Sequence, residues 1–432
     1  MLSTIQKTFV FLHQKAIFGN IKNIRKKNNQ NKERMNMKLL HTFQLNKIKW
    51  RHWLLLVLLL LVTLTKMIPL WGFIYTTRIY PIIGTFLSPI SGFFPFAVGD
   101  IFIALSIAWV IFYPIYEIGL RKKLARRYFF LTAKRGSYPK KKVVFGRVAE
   151  YLLWVYAWFY IAWGLNYSQP NIYARIEMKP VEVSEAKFKA FAYQYADSLN
   201  ALSISSDIAG SSIFSDSIVD DGLKNRVRDA VLNEYNKIGY KEGINAPFNQ
   251  HPHAKTMLFT PLSSMSGVTG SMGPFFCEFT LNGDILPHDY PATYAHEFAH
   301  FLGVANEGEA NFYSYIVCTA SADKQVRFSG YYHIFFHVLN NVFDILGEKE
   351  GERFLKHIRP EIIQLAKSDR RYWLSKRCKA LDAAQDIIFD FYLKGNHVAE
   401  GRKSYSGVIG LILAWEEKYF SKPTSYFAKK SL

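Results

Sequence analysis

The chain has 432 residues, half of them hydrophobic and 16% aromatic, with 54 Lys plus Arg against 34 Asp plus Glu and a formal net charge of +20. That composition excludes a disordered or fibrous chain. The charge suggests nucleic acid, but residues 1–52 hold 12 basic residues and one acid, residues 120–147 hold 11 and none, and the remainder holds 31 basic against 33 acidic residues. A nearly neutral bulk offers no surface to a phosphate backbone, so no nucleic-acid partner is expected.

Residues 1–47 are polar, basic and Asn-rich, and read as a disordered cytoplasmic tail, or as an over-long start before Met35 or Met37. Three apolar runs follow, at 48–74, 96–120 and 144–164, each of a length that spans a bilayer. Asp100 and Glu117 lie near the ends of the second, and Arg147 and Glu150 near the start of the third. Trp50, Trp53, Trp71 and Tyr75 stand where interfacial aromatics belong. The bland reading of each run is a buried core helix. Under the positive-inside rule the N-terminus and the basic loop 121–143 are cytoplasmic, residues 75–95 form an outer loop, and the chain after Trp163 is extracytoplasmic. The expected partner is therefore a lipid bilayer, the bacterial cytoplasmic membrane, with the C-terminal part on its periplasmic side.

Residues 166–432 read as one extracytoplasmic domain, mostly helical. Helices are predicted at Ser184 to Leu202, Asp220 to Ile238, Pro291 to Leu302, Glu307 to Ala322, Phe328 to Leu346, Glu350 to Ala366, Tyr372 to Leu393 and Tyr405 to Phe420. Strands are predicted at Thr256 to Thr260 and Phe275 to Leu281, with Asn282-Gly283 as a hairpin turn and Phe275 to Leu281 alternating as an edge strand. Gly267, Gly270 and Gly273 would let backbone approach a ligand there. Cys277, Cys318 and Cys378 are too far apart in sequence for a Cys-x-x-Cys metal site.

The chemistry concentrates in His296-Glu-Phe-Ala-His300. On a helix, residues four apart share a face, so His296 and His300 can bind one zinc ion while Glu297 serves as general base to a water at the metal. Composition alone would produce the pattern about 0.015 times per chain, so random matching is a weak rival; a zinc site that no longer catalyses is a stronger one. A third ligand is required. After Gly303 a new helix opens with Glu307-Gly-Glu-Ala-Asn311, where Glu307 can reach the metal while Asn311, four residues on, orients a ligand histidine. Glu309 points away from Glu307 on a regular helix and is the alternative ligand; both also suit a helix first turn as acids. Tyr332 and His333, one helix downstream, are candidate donors to an oxyanion.

His-Glu-x-x-His followed by Glu-x-x-x-Asn resembles the gluzincin class of zinc peptidases. Trp163-Gly-Leu-Asn-Tyr167, Gly270-Ser-Met-Gly-Pro-Phe-Phe-Cys-Glu278 and Glu307-Gly-Glu-Ala-Asn-Phe312 around that motif resemble a bacterial family of unknown function that carries membrane helices ahead of a zinc-peptidase-like domain. With the three apolar runs as N-terminal transmembrane helices, the resemblance implies a mainly α membrane protein in which they are followed by a gluzincin-like α+β domain with a small sheet beside the metal helix. It also implies a zinc metallopeptidase acting on a peptide or protein substrate. Only six residues separate His300 from Glu307, fewer than in many gluzincins, which leaves Glu307 and Glu309 both open as the third ligand. The rival function is a non-enzymatic membrane sensor or assembly protein that keeps a zinc or peptide site.

Overall fold

A computed structural model describes residues 49–120, 141–181, 184–204, 219–379 and 407–420. The predicted tail 1–47 and nearly all of the predicted loop 121–143 lie outside the described residues. The chain divides into two compact units, Met1–Leu58 and Leu59–Leu432. The first is described only from residue 49, as the opening turns of helix α1 (Trp50–Met67). The second holds the remaining described residues.

The apolar runs become helices, with corrections. The first ends at Met67, because Ile68 is extended and Pro69 starts a new short helix, α2 (Pro69–Ile74). The expected outer loop is helical: a π-helical turn (Tyr75–Ile79) leads into α3 (Tyr80–Gly92). The second run is α4 (Val98–Ile115), prolonged by a π-helical turn (Tyr116–Leu120). The third is α5 (Lys141–Ala162). Among the described residues two helices, Trp50–Met67 and Val98–Gly119, are long and apolar enough to cross a membrane, not the expected three. Helix α5 begins with Lys141, Lys142, Arg147 and Glu150, which lower its mean hydropathy, and its last turns bury Ala157, Tyr160 and Ala162.

Beyond α5 come a 3₁₀ turn (Gly164–Ser168), α6 (Ile172–Arg175), α7 (Glu185–Ile204) and α8 (Asp221–Ile238), the last capped by the Asp220 side chain. Then follow β1 (Lys255–Thr256), α9 (Thr260–Ser266), β2 (Gly270–Gly273), β3 (Glu278–Leu281), α10 (Tyr290–Phe301) and α11 (Glu307–Ala320). The remainder is α12 (Lys324–His333), α13 (Phe335–Leu346), α14 (Glu348–His357), α15 (Pro360–Lys376) and α16 (Val408–Phe420). Two predicted helices each divide in two. Ile334 leaves helical geometry between α12 and α13, and Ile358 and Arg359 separate α14 from α15, Arg359 being held out of helical geometry by its clash with Pro360. The helix predicted over Tyr372 to Leu393 is the end of α15; residues 380–393 lie outside the described residues.

The sheet is small and mixed, in the order β1-β3-β2, with β1 parallel and β2 antiparallel to β3. The predicted edge strand is thus the central one, all four of its residues buried, and the edge beside α10 is β2. The β2–β3 hairpin turns at residues 274–277, where Cys277 takes a positive φ of 49°. Asn282 instead follows β3 and donates from its amide to the Val268 carbonyl.

Helix α10 lies at the centre, with all twelve residues buried. Phe279 of β3 packs against Tyr294, Phe298 and Phe301 on one side of it. A helix C-terminus leaves its last carbonyls without intrahelical partners, and here four side chains from other segments supply them. Trp163 Nε1 donates to the His300 carbonyl at 2.9 Å, Tyr80 Oη to Phe301 at 2.6 Å, Asn245 Nδ2 to Leu302 at 2.8 Å and Gln169 Nε2 to Gly303 at 2.7 Å. Two of the four, Tyr80 and Trp163, lie in the segment expected to be a separate membrane region. The sheet holds α4 in the same manner: buried Glu278 accepts the Gly99 N–H at 2.5 Å and pairs with buried Lys255 at 2.6 Å.

Candidate metal centre

His296, Glu297 and His300 lie on α10 and Glu307 at the start of α11. The six-residue link between them closes because Gly303 adopts φ +97°, which swings the chain back on itself, and because Asn306 caps α11 by accepting the Glu309 N–H. His296 Nε2 lies 3.1 Å from His300 Nε2 and 3.1 Å from Glu307 Oε2, and His300 Nε2 lies 3.3 Å from the same oxygen. Each histidine uses its other nitrogen outward: His296 Nδ1 meets Asn311 Oδ1 at 2.7 Å, and His300 Nδ1 meets the Val304 carbonyl at 2.6 Å. Both outer partners are acceptors, so the Nδ1 atoms carry the protons and the Nε2 lone pairs face inward.

Two nitrogen lone pairs and a carboxylate oxygen meeting in a buried place repel one another unless a cation lies among them. A proton is the smallest that serves. Burial disfavours a charged His300, but the Glu307 carboxylate beside it outweighs burial and lifts it to about 9. Burial likewise opposes the Glu307 charge, yet the two histidines hold its carboxyl far below the usual range. A divalent ion fits better than a proton, because ligands about 2.0–2.1 Å from a tetrahedral ion stand about 3.3 Å apart, close to the separations here. The three groups could therefore hold a metal ion.

Glu297 faces the same cleft and is 5% exposed. Its Oε2 has no hydrogen-bond partner among the described residues. Burial raises its pKa, against the pull of His296 and His300. Its other oxygen lies over Gly270 of β2, where a Cβ would come within 2.4 Å of it. The glycine expected to admit a ligand thus admits the chain's own carboxylate. Gly270→Ala should displace the Glu297 carboxylate without touching His296, His300 or Glu307, so metal uptake, measured by mass spectrometry, should stay unchanged.

Glu309 takes no part in the centre. Its Oε2 pairs with the buried Arg175 at 2.6 Å and its Oε1 accepts the Ile172 N–H at 2.9 Å, so it holds α6 against α11. Tyr332 also points elsewhere, donating to Asp369, which His288 Nε2 approaches at 2.9 Å. His288, Asp289 and Asp369 form a second convergent group, but Asp369 already has two partners there and none of the three lines the cleft. His333 does line the cleft, yet its Nε2 lies 3.0 Å from Asn311 Oδ1, and burial, with His296 and His337 nearby, depresses its pKa to about 3. A neutral imidazole donating there has no second N–H for an oxyanion. Asn311 thus accepts from His296 and His333 together.

The cleft over these groups measures about 870 Å³. Phe159, Trp163 and Tyr167 form one wall, β2 with the preceding Gly267 to Thr269 another, and Arg377 and His337 also line it. Among the described residues no strand pairs with the free side of β2. Periodicity offered no signal for Phe159 or Trp163 as site residues, since each reaches the cleft only through the fold.

The model of a family described as "Protein of unknown function (DUF3810)" matches residues 75–413. No curated protein and no solved structure matches the chain.

Proposed function

This chain belongs to the DUF3810 family, a family of unknown function, and we propose from its site that it is a membrane-anchored zinc metallopeptidase. The observation that carries the reading is the meeting of two outward-tethered histidines and Glu307 at 3.1–3.3 Å, with the unpartnered Glu297 carboxylate beside them. Two imidazoles and a carboxylate form the donor set of a catalytic zinc site with an open fourth position, and a structural site has no use for a buried base. When bound, zinc supplies Lewis acidity toward water and a carbonyl oxygen.

The rest falls to the protein. Glu297 takes the proton of the attacking water and passes it to the leaving nitrogen, a role suited to a carboxylate whose pKa burial has raised. Asn311 and the Val304 carbonyl hold the ligand histidines in orientation. The free side of β2 offers backbone groups to an extended substrate, which would lie as a fourth strand across the cleft.

In the membrane reading, α5 crosses with α4 in spite of its charges. The two run antiparallel: Ser106 bonds Tyr151 at 2.6 Å, and Arg147 donates to Tyr113 at 2.8 Å one level farther from the site. The basic segments 1–52 and 120–147 then lie in the cytoplasm, and the cleft outside it.

The test uses the purified full chain in detergent. Metal analysis should find one zinc per chain, and a peptide library should be cleaved, with cleavage lost on chelation and restored by added zinc. A metal-loaded protein that cleaves nothing overturns the peptidase; a protein that binds no metal overturns the site.

A further inference from the structure

The turn and helix that lead into the cleft are built inside out. Leu258, Phe259, Leu262 and Met265 of α9 and its approach are 48%, 45%, 54% and 37% exposed. At spacings of one, four and seven they share one helical face. The opposite face is polar and turned inward: Ser264, 2% exposed, donates to Asp284 Oδ2 at 2.7 Å and lies 3.1 Å from Asn282 Oδ1. A helix facing water would bury the leucines and expose the serine. Four large apolar side chains on one exposed face call for an apolar neighbour.

Continuity says which neighbour. The Leu258 N–H donates to Asp100 Oδ2 at 2.9 Å, in the first turn of α4, and Leu105, Ile107 and Phe112 farther along α4 are 65%, 56% and 65% exposed. The apolar face of α9 therefore starts where the exposed apolar surface of α4 starts. At its other end, Ser266 and Gly267 line the cleft.

We infer that residues 258–265 form an interfacial anchor, laid into the headgroup boundary of the bilayer that α4 crosses, so that the cleft mouth opens at the membrane surface. The inference rests on α4 being membrane-spanning. An amphipathic helix of this kind lies in the interface plane about 5–10 Å into the headgroup region. The substrate class that follows is the extended segment flanking the anchor of another membrane-bound polypeptide.

The full chain, with Cys378→Ser and with Cys277 and Cys318 buried, is reconstituted in phosphatidylethanolamine and phosphatidylglycerol vesicles. Spin labels are placed in turn at Leu262→Cys, Ile107→Cys and Glu352→Cys, the last an exposed position on α14. The expected result is a Leu262 label that collides with oxygen in preference to a water-soluble nickel complex, as the Ile107 label does, with the reverse at Glu352. Lipid contact at Ile107 with nickel contact at Leu262 overturns the anchor alone. A Leu262 label shielded from both reagents means a protein covers the face, and also overturns it. Nickel contact at Ile107 overturns the membrane reading beneath it. Lipid-tethered peptides should be cleaved faster the shorter the spacer between anchor and scissile segment. Equal cleavage at all spacers overturns the substrate class, and no cleavage of any peptide overturns the peptidase while leaving the label result standing.

Discussion

Glu297→Gln should abolish peptide cleavage and leave zinc binding intact. The substitution keeps the shape of the side chain over Gly270 and removes only its ability to take a proton. General-base catalysis is worth about 10²–10⁴-fold, and kcat should fall by that order with zinc stoichiometry unchanged. The thermal midpoint should not fall. The carboxylate is buried with one oxygen unpartnered, and a buried charge without full hydrogen bonding costs more stability than a neutral amide in its place. Unchanged turnover in a zinc-loaded Glu297→Gln protein would remove this residue from the chemistry. A large drop in midpoint would instead give it a structural role.

Glu307→Ala and Glu309→Ala should fail in opposite ways. Removing Glu307 takes one of three convergent donors, and since outer partners of metal ligands alone are worth about 10–100-fold in affinity, zinc affinity should fall by at least that much while the fold survives. Removing Glu309 touches no ligand. It strands the Arg175 guanidinium, whose side chain is 3% exposed, and leaves the Ile172 N–H without its acceptor. Breaking a buried ion pair from one side costs about 3–5 kcal/mol, a large part of the roughly 5–15 kcal/mol that holds a domain together. Chemical denaturation should show that loss in Glu309→Ala, and zinc titration should show a deficit in Glu307→Ala. Reversal of the two results would exchange the roles of the glutamates.

The separation of these two acids is where sequence reasoning reached its end. Helical periodicity alone placed His296 and His300 on one face and Glu307 with Asn311 on another, because side chains four apart on a helix share a face wherever the helix lies. The link of six residues left open which acid would turn inward. That depended on Gly303 at φ +97°, and on Arg175, 134 positions away, occupying Glu309. No local pattern carries a partner so distant.

The same division runs through the rest of the chain. Composition determined that the charge is segmental and that apolar helices precede the motif, since hydropathy is a property of each segment by itself. It could not tell that the third apolar run shares a helix with Lys141 and Lys142, or that Tyr80 and Trp163 close the end of α10. Alternation placed a strand at Phe275 to Leu281 but took it for an edge, because alternation measures which faces are buried and not which neighbours a strand has. His296, Glu297, His300 and the helix that bears them were written in the sequence as spacing. That Glu307 and not Glu309 meets the two histidines, the edge strand at the cleft, and the joining of apolar helices to the site were decided only by tertiary packing, because each is a contact between segments that only the folded chain brings together.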